Sequence, residues 1–312
     1  MINISIETHP ELYYDYNKCI EFLKNIKSKD YNYPPSITYY HTYTEVKSEK
    51  ELMVIKSYLA TQNLEHTRLI VWSDYDISNN QLIKPFLDYI DFRVYKPFEE
   101  AKDTLLEGQK DYLTIDDERH WMSSGVLRFL VTHKYGGIWS DMDVVFLRDL
   151  KPLLDGEFAY SWGVDFDFNN FGPCAAFMGF QKRSELSTIC LEEMLKTQIT
   201  PMSTCFDKDL LAKVYRRKKF IVFPATMMDI EWVKNTQYIN GKKHYDPNGL
   251  GTQIEHQWFV NPLQNLEWVH PECMVWHWHH TSHKYDIIHP QSKFGLLMNI
   301  IDQKLKALNI LK

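Results

Sequence analysis

With 312 residues, the chain is long enough for one large α/β domain or two small ones. A hydrophobic fraction of 44% and an aromatic fraction of 14% supply a sizeable core and exclude an intrinsically disordered chain. The formal net charge is −6, and acidic and basic residues are mixed along the sequence, which argues against nucleic acid as the main partner.

The cysteines also bear on the cellular setting. The chain has 5 of them, widely spaced, and no Cys-x-x-Cys pair occurs. Neither a zinc site nor a disulfide framework is indicated, so a reducing compartment such as the cytoplasm fits best. We find no signal-peptide pattern, and no apolar run approaches the ~20 residues of a membrane span. We therefore expect a soluble chain with no membrane span.

The first hundred residues alternate between strand-like and helix-like patterns. Periodicity predicts strands at residues 35–45, 67–72 and 91–95, and helices at residues 52–61 and 81–90. This alternation is typical of an α/β fold, a mostly parallel sheet flanked by helices. No repeat or low-complexity linker divides the chain, so we expect a single domain over residues 1–312, with functional halves of about 1–150 and 151–312.

The next predicted element is a helix over residues 116–135. Acidic residues at 116–118 suit a helix N-terminus, and Gly136 supplies the stop. Further strands are predicted at residues 138–140, 144–147, 158–162, 175–180 and 220–223, and further helices at residues 184–197 and 208–217. An amphipathic helix over residues 292–311 ends the chain, and its apolar side carries Leu296, Leu297, Ile300, Ile301, Leu305 and Leu308.

Two aspartates follow the Gly-Gly turn after the predicted 116–135 helix. The segment from Tyr135 reads Tyr-Gly-Gly-Ile-Trp-Ser-Asp-Met-Asp, so a short apolar strand ends in Asp141 and Asp143. Strand side chains at positions i and i+2 point the same way. We therefore expect both carboxylates to converge on one hard cation at the end of a strand, where α/β folds bind ligands.

The segment from Ser124 through Val145 resembles the sugar-binding region of glycosyltransferase family 32. That family includes α-1,6-mannosyltransferases and α-1,4-galactosyltransferases, and the glucosylating clostridial toxins are distant relatives. Its pattern is roughly Ser-Asp-x-x-Arg-Tyr, a hydrophobic stretch, then Tyr-Gly-Gly-x-Tyr-x-Asp-x-Asp. The resemblance implies a GT-A-like nucleotide-sugar-binding fold, with the nucleotide in the first half of the chain and the acceptor in the second.

The resemblance also implies the chemistry. It implies a nucleotide-sugar donor, UDP in preference to GDP, a divalent cation such as Mn²⁺ or Mg²⁺, and transfer to a glycan or glycoprotein acceptor with retained configuration. By position, Asp141 would contact the donor and the metal, and Asp143 would be the principal metal ligand. Arg128 would hold the donor sugar, on a helix face that it shares with Ser124.

The chain departs from the family pattern at two places. The aspartate that precedes x-x-Arg in the family is Gly125 here, which removes a carboxylate expected to bind sugar hydroxyls. Either the donor sugar differs from glucose, galactose and mannose, or another acid substitutes. The Gly-Pro segment of the acceptor half has no clear counterpart around residues 206–209, so the acceptor does not transfer from the family.

A second candidate group is the histidine-rich segment Val-Trp-His-Trp-His-His-Thr-Ser-His that begins at Val275. In an extended chain, His277 and His279 share one face and the tryptophans share the other. Either imidazole is predicted to complete a Mn²⁺ site with the aspartates. The alternative is an independent zinc or iron site. Trp278, Ser282 and Lys284 are predicted to contact the donor, with Lys284 at the leaving phosphate.

The remaining candidates are less closely tied to a motif. A retaining transfer needs a group on the sugar face opposite the leaving group, for which Asp167 is predicted, with Asn170 as a nearby substrate contact. Tyr40 and Trp72 are predicted to stack on the nucleotide base. Two other functions stay open: a metallohydrolase built on the acidic pair and the histidines, and a non-catalytic carbohydrate-binding protein rich in Trp and Tyr.

Overall fold

The computed structural model describes His9 and residues 11–26, 36–42, 46–116, 120–154, 156–161, 172–199, 206–229, 238–239, 242–243, 258–259, 273–279 and 287–312. The strands are β1 Ser36–Thr42, β2 Thr67–Ser73, β3 Asp91–Val94, β4 Gly137–Ser140, β5 Val144–Phe146, β6 Phe158–Tyr160, β7 Cys174–Phe180, β8 Ile221–Phe223, β9 Tyr238–Ile239, β10 Lys242–Lys243 and β11 Val275–His277. The α-helices are α1 Glu11–Tyr14, α2 Tyr16–Asn25, α3 Met53–Thr61, α4 Pro97–Glu100, α5 Lys110–Leu113, α6 Trp121–Tyr135, α7 Glu185–Leu195, α8 Phe206–Arg217, α9 Ala225–Met228 and α10 Lys293–Ala307.

Seven of the described strands form one sheet in the order β3-β2-β1-β4-β7-β6-β8. Strands β3, β2, β1 and β4 are mutually parallel, and β6 pairs with β8 in parallel. Strand β7 is antiparallel to both β4 and β6, so it alone among these seven runs against the others. The predicted α/β class, with a mostly parallel sheet flanked by helices, is confirmed.

Two buried clusters provide the core. One contains apolar side chains of α3, β5, β11 and α10, and the other contains those of α6, α7 and α8. Because both clusters draw on the sheet strands, those strands consist mainly of apolar residues rather than alternating ones; β7, for example, is buried along its whole length. This is why short apolar runs were sufficient to locate most strands.

Helix α6 ends as predicted but begins later. Gly136 has a φ of 73°, which an L side chain rarely adopts, and a Cβ atom there would lie 2.7 Å from the backbone nitrogen of Lys182. The predicted start at Asp116 is wrong, because the helix begins at Trp121 after His120, whose φ is 54°. The chain therefore enters α6 through a left-handed residue.

Two other predictions need correction. The helix predicted over residues 81–90 is only a 3₁₀ turn at Lys84–Phe86, because Pro85 has no N–H to donate to the carbonyl of residue 81 and is tolerated only in the first turn of a helix. In α10, the buried face is formed by Phe294, Leu297, Ile301 and Leu305, whereas Ile300 and Leu308 are exposed. None of the helices in the described ranges has the length and hydropathy that crossing a bilayer requires.

Strand β11 pairs antiparallel with β5, outside the main sheet, and places His277 opposite Val144. The indoles of Trp276 and Trp278 pack against Phe294 of α10, with ring centroids 5.8 and 5.5 Å from its ring. The histidine-containing segment is therefore anchored through its tryptophans beside the turn that carries the aspartate pair.

Candidate active site

The aspartate pair lies in a turn between β4 and β5. The backbone N–H of Asp141 donates to the carbonyl of Ala176 in β7 (2.8 Å), and the N–H of Val144 donates to the carbonyl of Asp141 (3.2 Å). The second hydrogen bond closes the turn, so the pair does not follow the strand alternation that the sequence predicted. As a result, the two carboxylates have different partners.

Asp141 belongs to a largely buried ion pair. Its carboxylate accepts a hydrogen bond from the indole N–H of Trp139 (2.6 Å) and lies 3.1 Å from the guanidinium of Arg128. Burial raises the pKa of Asp141 to about 6; Arg128 opposes the rise and Asp143 adds to it. The side chain stays 26% exposed, so an edge of this charged pair faces the outside.

Arg128 bridges carboxylates on two different elements. Besides its contact with Asp141, its Nη1 lies 2.9 Å from Oδ2 of Asp207 in α8. Burial alone would lower the pKa of Arg128, but Asp141 and Asp207 raise it above the ordinary arginine value. The guanidinium, 7% exposed, is thus a fixed buried cation whose planar fork suits two carboxylates.

Asp143 contacts the histidine segment instead. Its Oδ2 lies 3.2 Å from Nε2 of His277, and its backbone carbonyl accepts a hydrogen bond from the N–H of Trp278 (2.9 Å). The hydroxyl of Tyr160 shares a hydrogen bond with the other ring nitrogen of His277 (2.9 Å). Burial would lower the pKa of His277, but Asp143 and the nearby carboxylates outweigh it and raise that pKa to about 9.

Asp229, just after α9, completes this group. Its Oδ2 lies 3.0 Å from Nε2 of His279 and 4.0 Å from Nδ1 of His277. The two imidazole centroids are 4.0 Å apart, so both rings lie on the same side, although His279 follows the end of β11 with a φ of 55°. Asp229, His277 and His279 each offer one ligand atom within 4.8 Å of the others.

These donors fit a divalent cation. Carboxylate oxygens and imidazole nitrogens suit ions such as Mn²⁺. Oδ1 of Asp229 is buried and has no hydrogen-bond partner within the described ranges, so a coordination bond would satisfy it. Of the ligands predicted from sequence, His277 and His279 lie in this group, Asp143 contacts it through His277, and Asp141 is turned to Arg128.

The structure places several other candidates away from a ligand surface. Trp72 is 1% exposed and packs between Tyr95 and Tyr135, so the prediction that it stacks on a base is wrong. Trp278, predicted to contact the donor, is fully buried among core aromatics, and that prediction fails for the same reason. Ser124 is buried in α6.

The remaining candidates lie in β1 or outside the described residues. Tyr40 lies in β1 next to Ser140 of β4, with only its backbone described. The predicted Asp167, Asn170, Ser282 and Lys284 lie outside the described residues.

Three side chains of the site were not predicted from the sequence. Asp207, Asp229 and Tyr160 reach it from α8, from the end of α9 and from β6. The one sequence signal for Asp229 is an acidic residue directly after the apolar pair Met227 and Met228. Asp207 stands within residues 206–209, where the family pattern had no counterpart.

Residues 48–159 match the family model of the glycosyltransferase sugar-binding region containing DXD motif. The matched segment includes Arg128, Asp141 and Asp143, so the resemblance drawn from the sequence is confirmed, and with it the glycosyltransferase class of enzyme. The mostly parallel sheet agrees with the GT-A-like fold that the resemblance implies.

Two solved structures are similar to the chain at low identity. One is the PaToxG glycosyltransferase, with 13% identity and a TM-score of 0.39 over 67% of this chain and 78% of that chain. The other is described as a transferase mutant, with 12% identity and a TM-score of 0.35 over 58% of this chain and 85% of that chain. No curated protein sequence matches the chain.

Proposed function

We propose that this glycosyltransferase is metal-dependent and retaining, and that it moves a hexose or pentose from a nucleoside diphosphate to a hydroxyl of a glycan or glycoprotein. UDP is the favoured nucleotide and GDP the alternative. The observation that carries the proposal is the turn between β4 and β5, where the Arg128–Asp141 pair meets the Asp143–His277 contact. This turn lies inside the segment that matches the DXD region.

The metal part of the proposal assigns the ligands to the group around His277. Asp143, Asp229, His277 and His279 would hold Mn²⁺ or Mg²⁺ through carboxylate oxygens and imidazole nitrogens. Such a cation, when bound, screens the charge of a diphosphate leaving group and orients it. Tyr160 fixes the orientation of the His277 ring through its hydrogen bond to Nδ1.

The donor part assigns the sugar side to Arg128 and Asp141. Asp141 is oriented by the Trp139 indole and by the guanidinium, so its exposed edge is a rigid acceptor for hydroxyl groups of the donor. In the transfer, the anomeric carbon loses its bond to the diphosphate and gains one to the acceptor oxygen, whose proton is released. The first half of the chain, about residues 1–150, would carry the nucleotide and the second half the acceptor.

We also propose that the protein works in a reducing compartment and without nucleic acid. The wide spacing of the cysteines and the absence of Cys-x-x-Cys pairs support the first point. The net charge of −6 supports the second.

Thermal unfolding with UDP or GDP, each with and without Mn²⁺, tests the proposed function. We expect the nucleotide with Mn²⁺ to raise Tm by about 4 °C when its concentration is about 100 times Kd, because only the folded state holds both. The matched control is protein treated with a chelator, in which the nucleotide alone should give a much smaller rise.

The rival functions give different results in the same measurement. Stabilisation by Mn²⁺ alone, with no further gain from either nucleotide, would favour a metallohydrolase. Stabilisation by free sugars alone would favour a carbohydrate-binding protein. Either result would overturn the proposed transferase.

Single substitutions of the histidines should separate their contributions to metal binding. We expect His277→Ala to lower the Mn²⁺-dependent rise in Tm more than His279→Ala, because His277 contacts Asp143 and also lies beside Asp229. Asp229→Asn should also weaken the response. His9→Ala, at a partly exposed site, is the matched control. A normal Mn²⁺ response in all three site variants would remove this group from the metal site.

A further inference from the structure

Asp207 brings a second carboxylate to the guanidinium of Arg128, and the function proposed above leaves it without a role. Its Oδ2 lies 2.9 Å from Nη1 of Arg128, while its Oδ1 is buried with no hydrogen-bond partner in the described part of the chain. A carboxylate oxygen kept from water without a donor is costly. Asp207 therefore has acceptor capacity that its contact with Arg128 does not use.

Gly125 makes room for this carboxylate. A Cβ atom at residue 125 would lie 2.8 Å from Oδ1 of Asp207 and 2.9 Å from Cδ1 of Phe206. Helix α8 therefore approaches α6 this closely because residue 125 has no side chain. In the Ser-Asp-x-x-Arg pattern described above, an aspartate occupies this position, whereas here the negative charge beside Arg128 comes from α8.

The charges around Arg128 indicate the kind of ligand. One guanidinium lies between the carboxylates of Asp141 and Asp207, so the group has an excess negative charge and repels a phosphate. Nε of Arg128 is also without a partner among the described residues. Hydroxyl groups both donate and accept hydrogen bonds, so an uncharged polyhydroxylated ring can satisfy carboxylate and guanidinium together.

The carboxylate can present its acceptor capacity to such a ring. The Asp207 side chain is 18% exposed. Oδ1 is buried beside Gly125, so the carboxylate oxygen that a ligand can reach is Oδ2, which has a second lone pair besides the one that faces Arg128.

We propose that Asp207 is a donor-binding residue whose carboxylate accepts hydrogen bonds from hydroxyl groups of the transferred sugar. This inference rests on the proposed function and identifies a group that recognises the sugar rather than the nucleotide. Arg128 holds Asp207 and Asp141 at a fixed separation, so the pair forms a rigid acceptor for hydroxyls. Gly125 is the residue that permits this arrangement.

Calorimetric titration of Asp207→Asn with a nucleotide and with its sugar conjugates tests the inference. The probes are UDP, UDP-glucose, UDP-galactose and UDP-N-acetylglucosamine, and GDP with GDP-mannose, all with Mn²⁺. In the wild type, we expect at least one conjugate to bind more tightly than its nucleotide. The variant should lose about tenfold to a hundredfold in affinity for that conjugate, the range for hydrogen bonds to a charged group, with its nucleotide affinity unchanged.

Two further variants control for side effects. Gly125→Ala keeps the carboxylate but forces it to move, so the same loss for the conjugate is expected. Asp209→Asn, on the exposed side of α8, should bind all probes as the wild type does. Two results would overturn the inference and leave the transferase proposal standing. In one, Asp207→Asn still binds the conjugate more tightly than the nucleotide by the wild-type factor; in the other, the variant loses affinity for nucleotide and conjugate equally. A wild type that binds none of the probes would instead overturn the proposed function itself.

Discussion

Replacing Asp143 with asparagine should lower nucleotide-sugar turnover by about three orders of magnitude, equivalent to about 4 kcal/mol of transition-state stabilisation. Asp143 supplies the carboxylate nearest to His277, at 3.2 Å, and its side chain is 13% exposed. Asparagine keeps the shape but removes the charge, so the fold should persist while metal and diphosphate binding weaken. Release of the nucleoside diphosphate from a labelled donor measures the effect.

The result needs a matched control and a check of the fold. Asp88→Asn makes the same chemical change at an exposed position that is distant in sequence from Asp143. It should leave turnover at the wild-type level. Circular dichroism of Asp143→Asn should match that of the wild type. Undiminished turnover in Asp143→Asn would refute the assigned site, and loss of the folded spectrum would assign Asp143 to the fold instead.

Replacing Arg128 with methionine should cost about 3–5 kcal/mol in the free energy of unfolding, the range for a buried ion pair that loses one partner. The carboxylates of Asp141 and Asp207, 26% and 18% exposed, would be left mostly shielded from water without their shared cation. Lysine should recover only part of the loss, because one ammonium cannot reproduce the planar fork that reaches both acids. Urea unfolding gives the free energies, and turnover should fall with both substitutions.

A double substitution shows whether the cost arises from these contacts. Arg128→Met combined with Asp207→Asn should be less destabilising than the sum of the two changes, because the second removes a charge that the first leaves unpaired. Arg217→Gln removes an arginine that pairs with Glu192 and Glu193 at the surface, and should cost less than about 1 kcal/mol. An Arg128→Met variant as stable as the wild type would contradict the buried triad.

Local chemistry was sufficient to predict much of the fold. The glycine stop after α6 follows from a φ that other residues rarely adopt, and the buried strands follow from short apolar runs. The prediction of a helix over residues 81–90 was wrong because it relied on the helical spacing of apolar residues. That spacing does not show that Pro85 limits the helix to one turn. The prediction that Trp72 stacks on a nucleotide base was wrong because an aromatic residue in a strand covered on both faces belongs to the core.

The candidate site was predictable only where its residues are neighbours in sequence. Asp141 and Asp143 stand in one short motif, and His277 and His279 stand in another, with ring centroids 4.0 Å apart. Asp229, by contrast, lies 50 positions before His279, and Tyr160 lies 117 positions before His277.

Such pairings depend on how the helices and strands pack against one another. The periodicity within a single helix or strand carries no information about that packing. The different partners of the two aspartates have the same origin, since the turn is closed by backbone contacts to β7 and β5.

The pairing of β11 with β5 links the tryptophans of the last strand to its histidines. Because side chains alternate along a strand, a slip of one residue would exchange the faces of the tryptophans and the imidazoles. Burial of two indoles therefore penalises such a one-residue slip by several kcal/mol on the usual scale for large apolar side chains, about 1.5–3 kcal/mol each. Packing of the tryptophans thereby selects the register of β11 against β5 that also brings His277 to Asp143.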